Sequence, residues 1–150
     1  MQRVILLLTV IALLAFAATP ALAEFTRGTD GRDRLIGTSG ADTLIGLGGS
    51  DYIAGRGGSD ELSGNKGGDR AYGEDGNDVI DGGSGADQLF GGPGEDVIFG
   101  ASGNDTIDTG EDDVADEVRC GSGIDTVYAG PRDKQAGSID KESCEIVLNK

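Results

Sequence analysis

The chain has 150 residues, 28 of them Gly, with no Trp, no His and a formal net charge of −15. Such a composition excludes a large apolar core, since Gly-rich acidic chains poor in aromatics rarely bury enough surface to offset the entropy of folding. It also excludes histidine-based catalysis and argues against a nucleic-acid partner, because the 12 Lys and Arg residues form no basic cluster.

Residues 1–23, MQRVILLLTVIALLAFAATPALA, open with Arg3, run apolar from Val4 to Ala18, break at Pro20 and end in Ala21-Leu22-Ala23. This pattern reads as a secretory signal peptide cleaved after Ala23, before Glu24. The apolar run of about 15 residues is short for a membrane span, and an uncleaved N-terminal anchor is the alternative. Cleavage would leave a secreted, extracellular protein with 27 acidic residues against the 12 Lys and Arg less Arg3, and with no second apolar segment to span a membrane.

After a lead-in from Glu24 to Arg27, the stretch from Gly28 to Asp108 divides into nine nonapeptides with no insertion or deletion. They are GTDGRDRLI, GTSGADTLI, GLGGSDYIA, GRGGSDELS, GNKGGDRAY, GEDGNDVID, GGSGADQLF, GGPGEDVIF and GASGNDTID. Places one and four are always Gly, and place six is always Asp. A fixed period outranks local propensity, because it implies one small unit stacked many times. It also removes disorder as the reading of the glycines: 23 of the 28 lie between residues 28 and 108, where a flexible linker would scatter them.

Each unit splits into a turn half, Gly-x-x-Gly-x-Asp, suited to tight bends, and an extended half at places seven to nine. Place eight is Leu35, Leu44, Ile53, Leu62, Ala71, Ile80, Leu89, Ile98 and Ile107. With a mostly polar place seven, these x-apolar-x triplets predict short strands with one side chain turned inward. Nine strands then share a narrow aliphatic core, thin at Ala71, where Tyr72 is expected to compensate in part.

Residues 109–119, TGEDDVADEVR, read as a tenth unit with two extra residues, placing Asp116 in the Asp place and Val118 in the core place. Residues 120–128, CGSGIDTVY, return to register with Asp125 and Val127, so the array spans 24–128. Residues 129–150 abandon the repeat and read as a C-terminal cap, since the last rung of a solenoid otherwise exposes core and strand edge. The two cysteines of a secreted chain favour a Cys120–Cys144 disulfide over free thiols or a metal site. Closing a loop of about 25 residues is worth ~3.5 kcal/mol by chain entropy.

The nine in-phase units resemble the calcium-binding nonapeptide repeat of RTX or haemolysin-type proteins, Gly-Gly-x-Gly-x-Asp-x-U-x. The resemblance implies an all-β fold, a right-handed parallel β-roll in which two nonapeptides make one turn and strands alternate between two facing sheets. It also implies Ca²⁺ held between turn loops stacked on the same edge. Place two departs from the pattern: it is Gly only at Gly83 and Gly92, and otherwise Thr29, Thr38, Leu47, Arg56, Asn65, Glu74 and Ala101. Family ligands at the early places are backbone carbonyls, which any residue provides, although a Cβ restricts the dihedrals. The N-terminal signal peptide is a second departure, because many RTX proteins are exported by an uncleaved C-terminal signal.

The candidate metal ligands are Asp33, Asp42, Asp51, Asp60, Asp69, Asp78, Asp87, Asp96 and Asp105, joined by Asp116 and Asp125 from the irregular end. With two units per coil, every second Asp falls on one edge, at rungs ~4.8 Å apart. Asp33, Asp51, Asp69, Asp87 and Asp105 share one edge; Asp42, Asp60, Asp78 and Asp96 share the other. Carboxylates so stacked repel unless a hard cation neutralises them. Ca²⁺ suits carboxylates plus turn carbonyls in irregular geometry, Mg²⁺ demands a tighter octahedron, and zinc or copper would want the His or Cys that the array lacks. Pairing neighbours along each edge gives about seven ions in the regular array. The alternative, solvated turn-forming Asp, would let Asn or Ser occupy place six, and none does. Gly31, Gly40, Gly49, Gly58, Gly67, Gly76, Gly85, Gly94 and Gly103 lend the turns their backbone geometry.

With so small a core, the metal-free chain is expected to be largely disordered and to fold on binding. Neither a Ser/His or Cys/His nucleophile nor a helix-borne phosphate loop can be assembled, so no catalysis is expected. The sequence therefore reads as a secreted calcium-ion-binding protein. The alternative is a structural or adhesive module whose calcium rigidifies a surface for a cell-surface, polysaccharide or self-association partner. Ile36, Ala54, Tyr72 and Phe90 at place nine, with Ile45 and Phe99 in the other series, form a partly apolar stripe for such contact.

Overall fold

A nonapeptide is too short to bury its own apolar residue, so each place-eight side chain needs cover from units above, below and across. The structure, a computed structural model, describes residues 22–133, 139, 144 and 146–149. The signal-like segment up to residue 21 and most of the tail from 134 to 145 lie outside the described residues. Strands alternate between two parallel sheets. The six-stranded sheet runs β1 (Phe25–Arg27), β3 (Thr43–Gly48), β5 (Glu61–Lys66), β7 (Val79–Ser84), β9 (Val97–Ser102) and β11 (Glu117–Ser122). The seven-stranded sheet runs β2 (Arg34–Ile36), β4 (Tyr52–Gly57), β6 (Arg70–Asp75), β8 (Gln88–Phe90), β10 (Thr106–Asp108), β12 (Thr126–Ala129) and β13 (Ile146–Asn149). The chain is thus an all-β parallel solenoid of about six turns, consistent with a β-roll.

Register follows the doubled period. In one sheet Leu44 pairs with Leu62, Leu62 with Ile80 and Ile80 with Ile98. In the other, Leu35, Ile53, Ala71, Leu89 and Ile107 form the matching column. These residues, with Val118 and Val127, are the buried aliphatic core. Ala71 leaves a short side chain in that column, and Tyr72 does not fill the space as expected. Strand alternation turns Tyr72 to the outer face, where its ring lies parallel to that of Phe90 at 4.6 Å.

Many strands are longer than the expected triplets. Seven of them span six residues, running through places seven to nine into places one to three of the next unit. Leu47 pairs with Asn65 and Gly48 with Lys66, for example, so part of each turn half also hydrogen-bonds along the stack. The two extra residues of the irregular unit are absorbed before β11, which keeps Val118 opposite Ile98. Beyond it, β13 adds to β12 with Val127 opposite Val147, Ile139 bridges Val118, and Cys120 is disulfide-bonded to Cys144.

Candidate metal centre

Turns that repeat every 18 residues must satisfy the same backbone groups at every rung, and place-six Asp does this. The amide of Asp33 donates to Oδ1 of Asp51, that of Asp51 to Asp69, Asp69 to Asp87, Asp87 to Asp105 and Asp105 to Asp125, at 2.7–2.9 Å. On the opposite edge the same ladder climbs from the Glu24 amide through Asp42, Asp60, Asp78, Asp96 and Asp116 to Asp133. Every predicted site Asp therefore lies on one of two ladders, split between the edges as the period requires. Asp116 and Asp125 join despite the two-residue insertion. From Asp42 onward each is at most 3 % exposed, while Asp33 at the first rung is half-buried.

Each ladder uses one oxygen of every carboxylate, and at the regular rungs from Asp51 onward it leaves the other. The Oδ2 atoms of Asp51, Asp60, Asp69, Asp78, Asp87, Asp96 and Asp105 are buried with no hydrogen-bond partner. Burying an anionic oxygen without a partner is costly. Place-one Gly explains how they are packed: a Cβ on Gly82 would lie 2.6 Å from Asp87 Oδ2, and one on Gly64 would lie 2.7 Å from the carbonyl oxygen of Gly82. Carboxylate and carbonyl oxygens thus crowd the face that a side chain would fill. Among the described residues no group of three or more Asp, Glu, His or Cys side chains converges on one point, so a metal here must draw on backbone carbonyls beside one or two carboxylates. An oxygen-only donor set with orphaned anionic oxygens fits a hard cation such as Ca²⁺ and does not fit zinc or copper.

Burial raises seven of the ladder carboxyls above their ordinary value of 3.8. Asp60 and Asp69 are raised, Asp78 and Asp87 reach about 6, Asp96 and Asp105 about 7, and Asp116 about 8. Desolvation is the main cause, the accepted backbone N–H pulls the other way, and neighbouring carboxylates add to the rise.

The backbone of the turns resolves the question posed by place two. Leu47, Arg56, Asn65, Glu74 and Ala101 all adopt φ between 70° and 83°, so the turn imposes the left-handed conformation on residues that ordinarily avoid it. At place four, φ is positive from Gly49 through Gly103 but not at Gly31 or Gly40. In those first two turns Thr29 and Thr38 occupy place two without positive φ. Oδ2 of Asp33 accepts from the Thr29 amide at 2.6 Å and its hydroxyl at 2.9 Å. Oδ2 of Asp42 accepts from the Thr38 amide at 2.5 Å and its hydroxyl at 3.0 Å.

Sequence reasoning missed Asp133. It closes the second ladder, accepting the Asp116 amide at 3.0 Å on Oδ1, with the Thr109 hydroxyl at 2.6 Å and the Gly130 amide at 2.8 Å on Oδ2. The signal was present in Gly130-Pro131-Arg132-Asp133, a unit shortened between its first Gly and its Asp.

A model of the RTX calcium-binding nonapeptide repeat matches the chain in four copies, at residues 27–62, 55–89, 63–98 and 81–113. No curated protein and no solved structure matches the chain significantly. The matched copies cover more than half of the chain and coincide with the ladders of place-six Asp, and calcium binding is what such repeats imply. The chain belongs to the RTX calcium-binding nonapeptide repeat family.

Proposed function

We propose that this is a secreted calcium-binding protein that folds on binding Ca²⁺ and whose activity is the binding itself, without catalysis. The observation that carries this reading is the pair of carboxylate ladders, whose regular rungs from Asp51 to Asp105 each bring a buried oxygen that no protein donor satisfies. Asp51, Asp60, Asp69, Asp78, Asp87, Asp96 and Asp105, with Asp116 and Asp125, would hold the ions together with turn carbonyls. Bound Ca²⁺ supplies the positive charge that the stacked carboxylates lack.

Coupling of folding to binding follows from the same geometry. Without cations, folding must bury seven oxygens with no partner and hold several non-Gly residues at positive φ, against a core of one aliphatic column per sheet. Binding offsets these costs by linkage. Secretion is supported by the signal-like residues 1–23 and by the extracellular setting typical of RTX repeats. Among the described residues no helix is long and apolar enough to cross a membrane. We assign residues 24–128 to the array and 129–150 to a C-terminal cap, supported by β13, the Ile139 bridge and the disulfide to Cys144.

Far-UV circular dichroism tests the coupling. In chelator the spectrum should be that of coil and turns, and added Ca²⁺ should convert it to β; a spectrum already fully β in chelator would refute coupled folding.

A further inference from the structure

The two ladders do not treat all their carboxylates alike. From Asp51 onward the regular rungs leave Oδ2 unsatisfied, whereas Asp33 and Asp42 have theirs filled by the amide and hydroxyl of Thr29 and Thr38. Each threonine hydroxyl also accepts the amide of the place-four glycine, Gly31 or Gly40, at 3.1 Å. These hydrogen bonds hold the first two turns in a closed form that lacks the positive φ of the later turns.

The choice of residue has a physical cause. A β-branched side chain is a poor occupant of the left-handed region, so Thr at place two selects the closed turn. That turn aims its N–H and O–H at the carboxylate. Donors there satisfy the anion and compete with any cation approaching Oδ2. Leu, Arg, Glu and Ala at place two bring no hydroxyl, and their turns stay open.

We propose that the first turn on each edge is a metal-independent end piece, in which Thr29 and Thr38 stand in for a cation at Asp33 and Asp42. Metal binding then begins with Asp51 and Asp60. The far end of the second ladder is built alike, with the Thr109 hydroxyl on Asp133. The proposal rests on the calcium reading above and narrows it: dropping the pairings of Asp33 with Asp51 and of Asp42 with Asp60 lowers the regular array from about seven ions to about five.

The test counts calcium ions per chain by native mass spectrometry, with circular dichroism as a check on folding. The double variant Asp33→Asn with Asp42→Asn should keep the wild-type count, while Asp69→Asn with Asp78→Asn should lower it. Loss of about two ions from the first variant would overturn the proposal. If that variant fails to fold, Thr29→Gly with Thr38→Gly decides: opening both turns should add about two ions, and an unchanged count would overturn the stand-in role. A wild-type protein that binds no calcium would instead sink the calcium reading itself.

Discussion

At the scale of single residues, the repeat separates positions that need a particular atom from positions that need only a backbone. In the nine regular units place one cannot accept a Cβ, because the carboxylate and the next coil's carbonyl already occupy that space. Gly64→Ala should therefore cost more than about 3 kcal/mol in calcium-saturated urea unfolding, or prevent folding altogether. Arg56→Ala, at an exposed place two already held at positive φ, should change stability by less than about 1 kcal/mol. The invariance of place six made the ladder-forming Asp legible in the sequence. What Thr29 and Thr38 do was not legible, because a hydroxyl four residues before an Asp matters only once the turn has closed on it. Asp133 escaped for a related reason: its unit has lost residues, and only the spatial ladder shows that it stands in the same place.

At the scale of elements, the core is a column one side chain wide, so each position depends on its neighbours above and below. Ile80 is fully buried between Leu62 and Ile98. Ile80→Ala should lower the stability of the calcium-bound protein by about 2–5 kcal/mol, read as a lower urea midpoint. The Cys120–Cys144 bond ties the last described coil of the six-stranded sheet to the tail. Its reduction should cost ~3.5 kcal/mol by loop entropy, and hydrogen exchange should rise first at β11 to β13 rather than uniformly. The place-nine stripe was legible as a register, with Ile36, Ala54, Tyr72 and Phe90 paired rung to rung. Its two rings, however, stack on each other, and Tyr72 also lies 5.3 Å from the place-seven ring of Tyr52, over which Arg34 sits. Period alone could not distinguish a free apolar stripe from a self-covering row, since that depends on side-chain direction.

At the scale of the whole molecule, charge governs folding. The raised carboxyls, from about 6 at Asp78 and Asp87 to about 8 at Asp116, mean that the metal-free fold disfavours ionisation more than the unfolded chain does. Protons therefore favour that fold: its stability should increase as pH falls from about 8 toward 4 and be lost again as pH rises through the folded-state values. In chelator, circular dichroism should show more β structure at pH 5 than at pH 8, and calcium affinity should weaken over the same descent because protons and Ca²⁺ compete. A profile in chelator that is flat between those values would contradict this account. The parallel two-sheet architecture was legible from the strict nonapeptide period, whereas the size of the proton effect was not, because it depends on burial that only stacked rungs create. The amide-to-carboxylate ladders, finally, have a direction. Every rung donates to the Asp of the coil that follows, so a coil is complete only when its successor has arrived. Removing coils from the front leaves a carboxylate oxygen without its amide donor, whereas removing them from the back leaves an amide without its acceptor. The molecule is thus a polar stack, whose front end presents a carboxylate lacking a donor and whose back end presents an N–H lacking an acceptor whenever it is shortened.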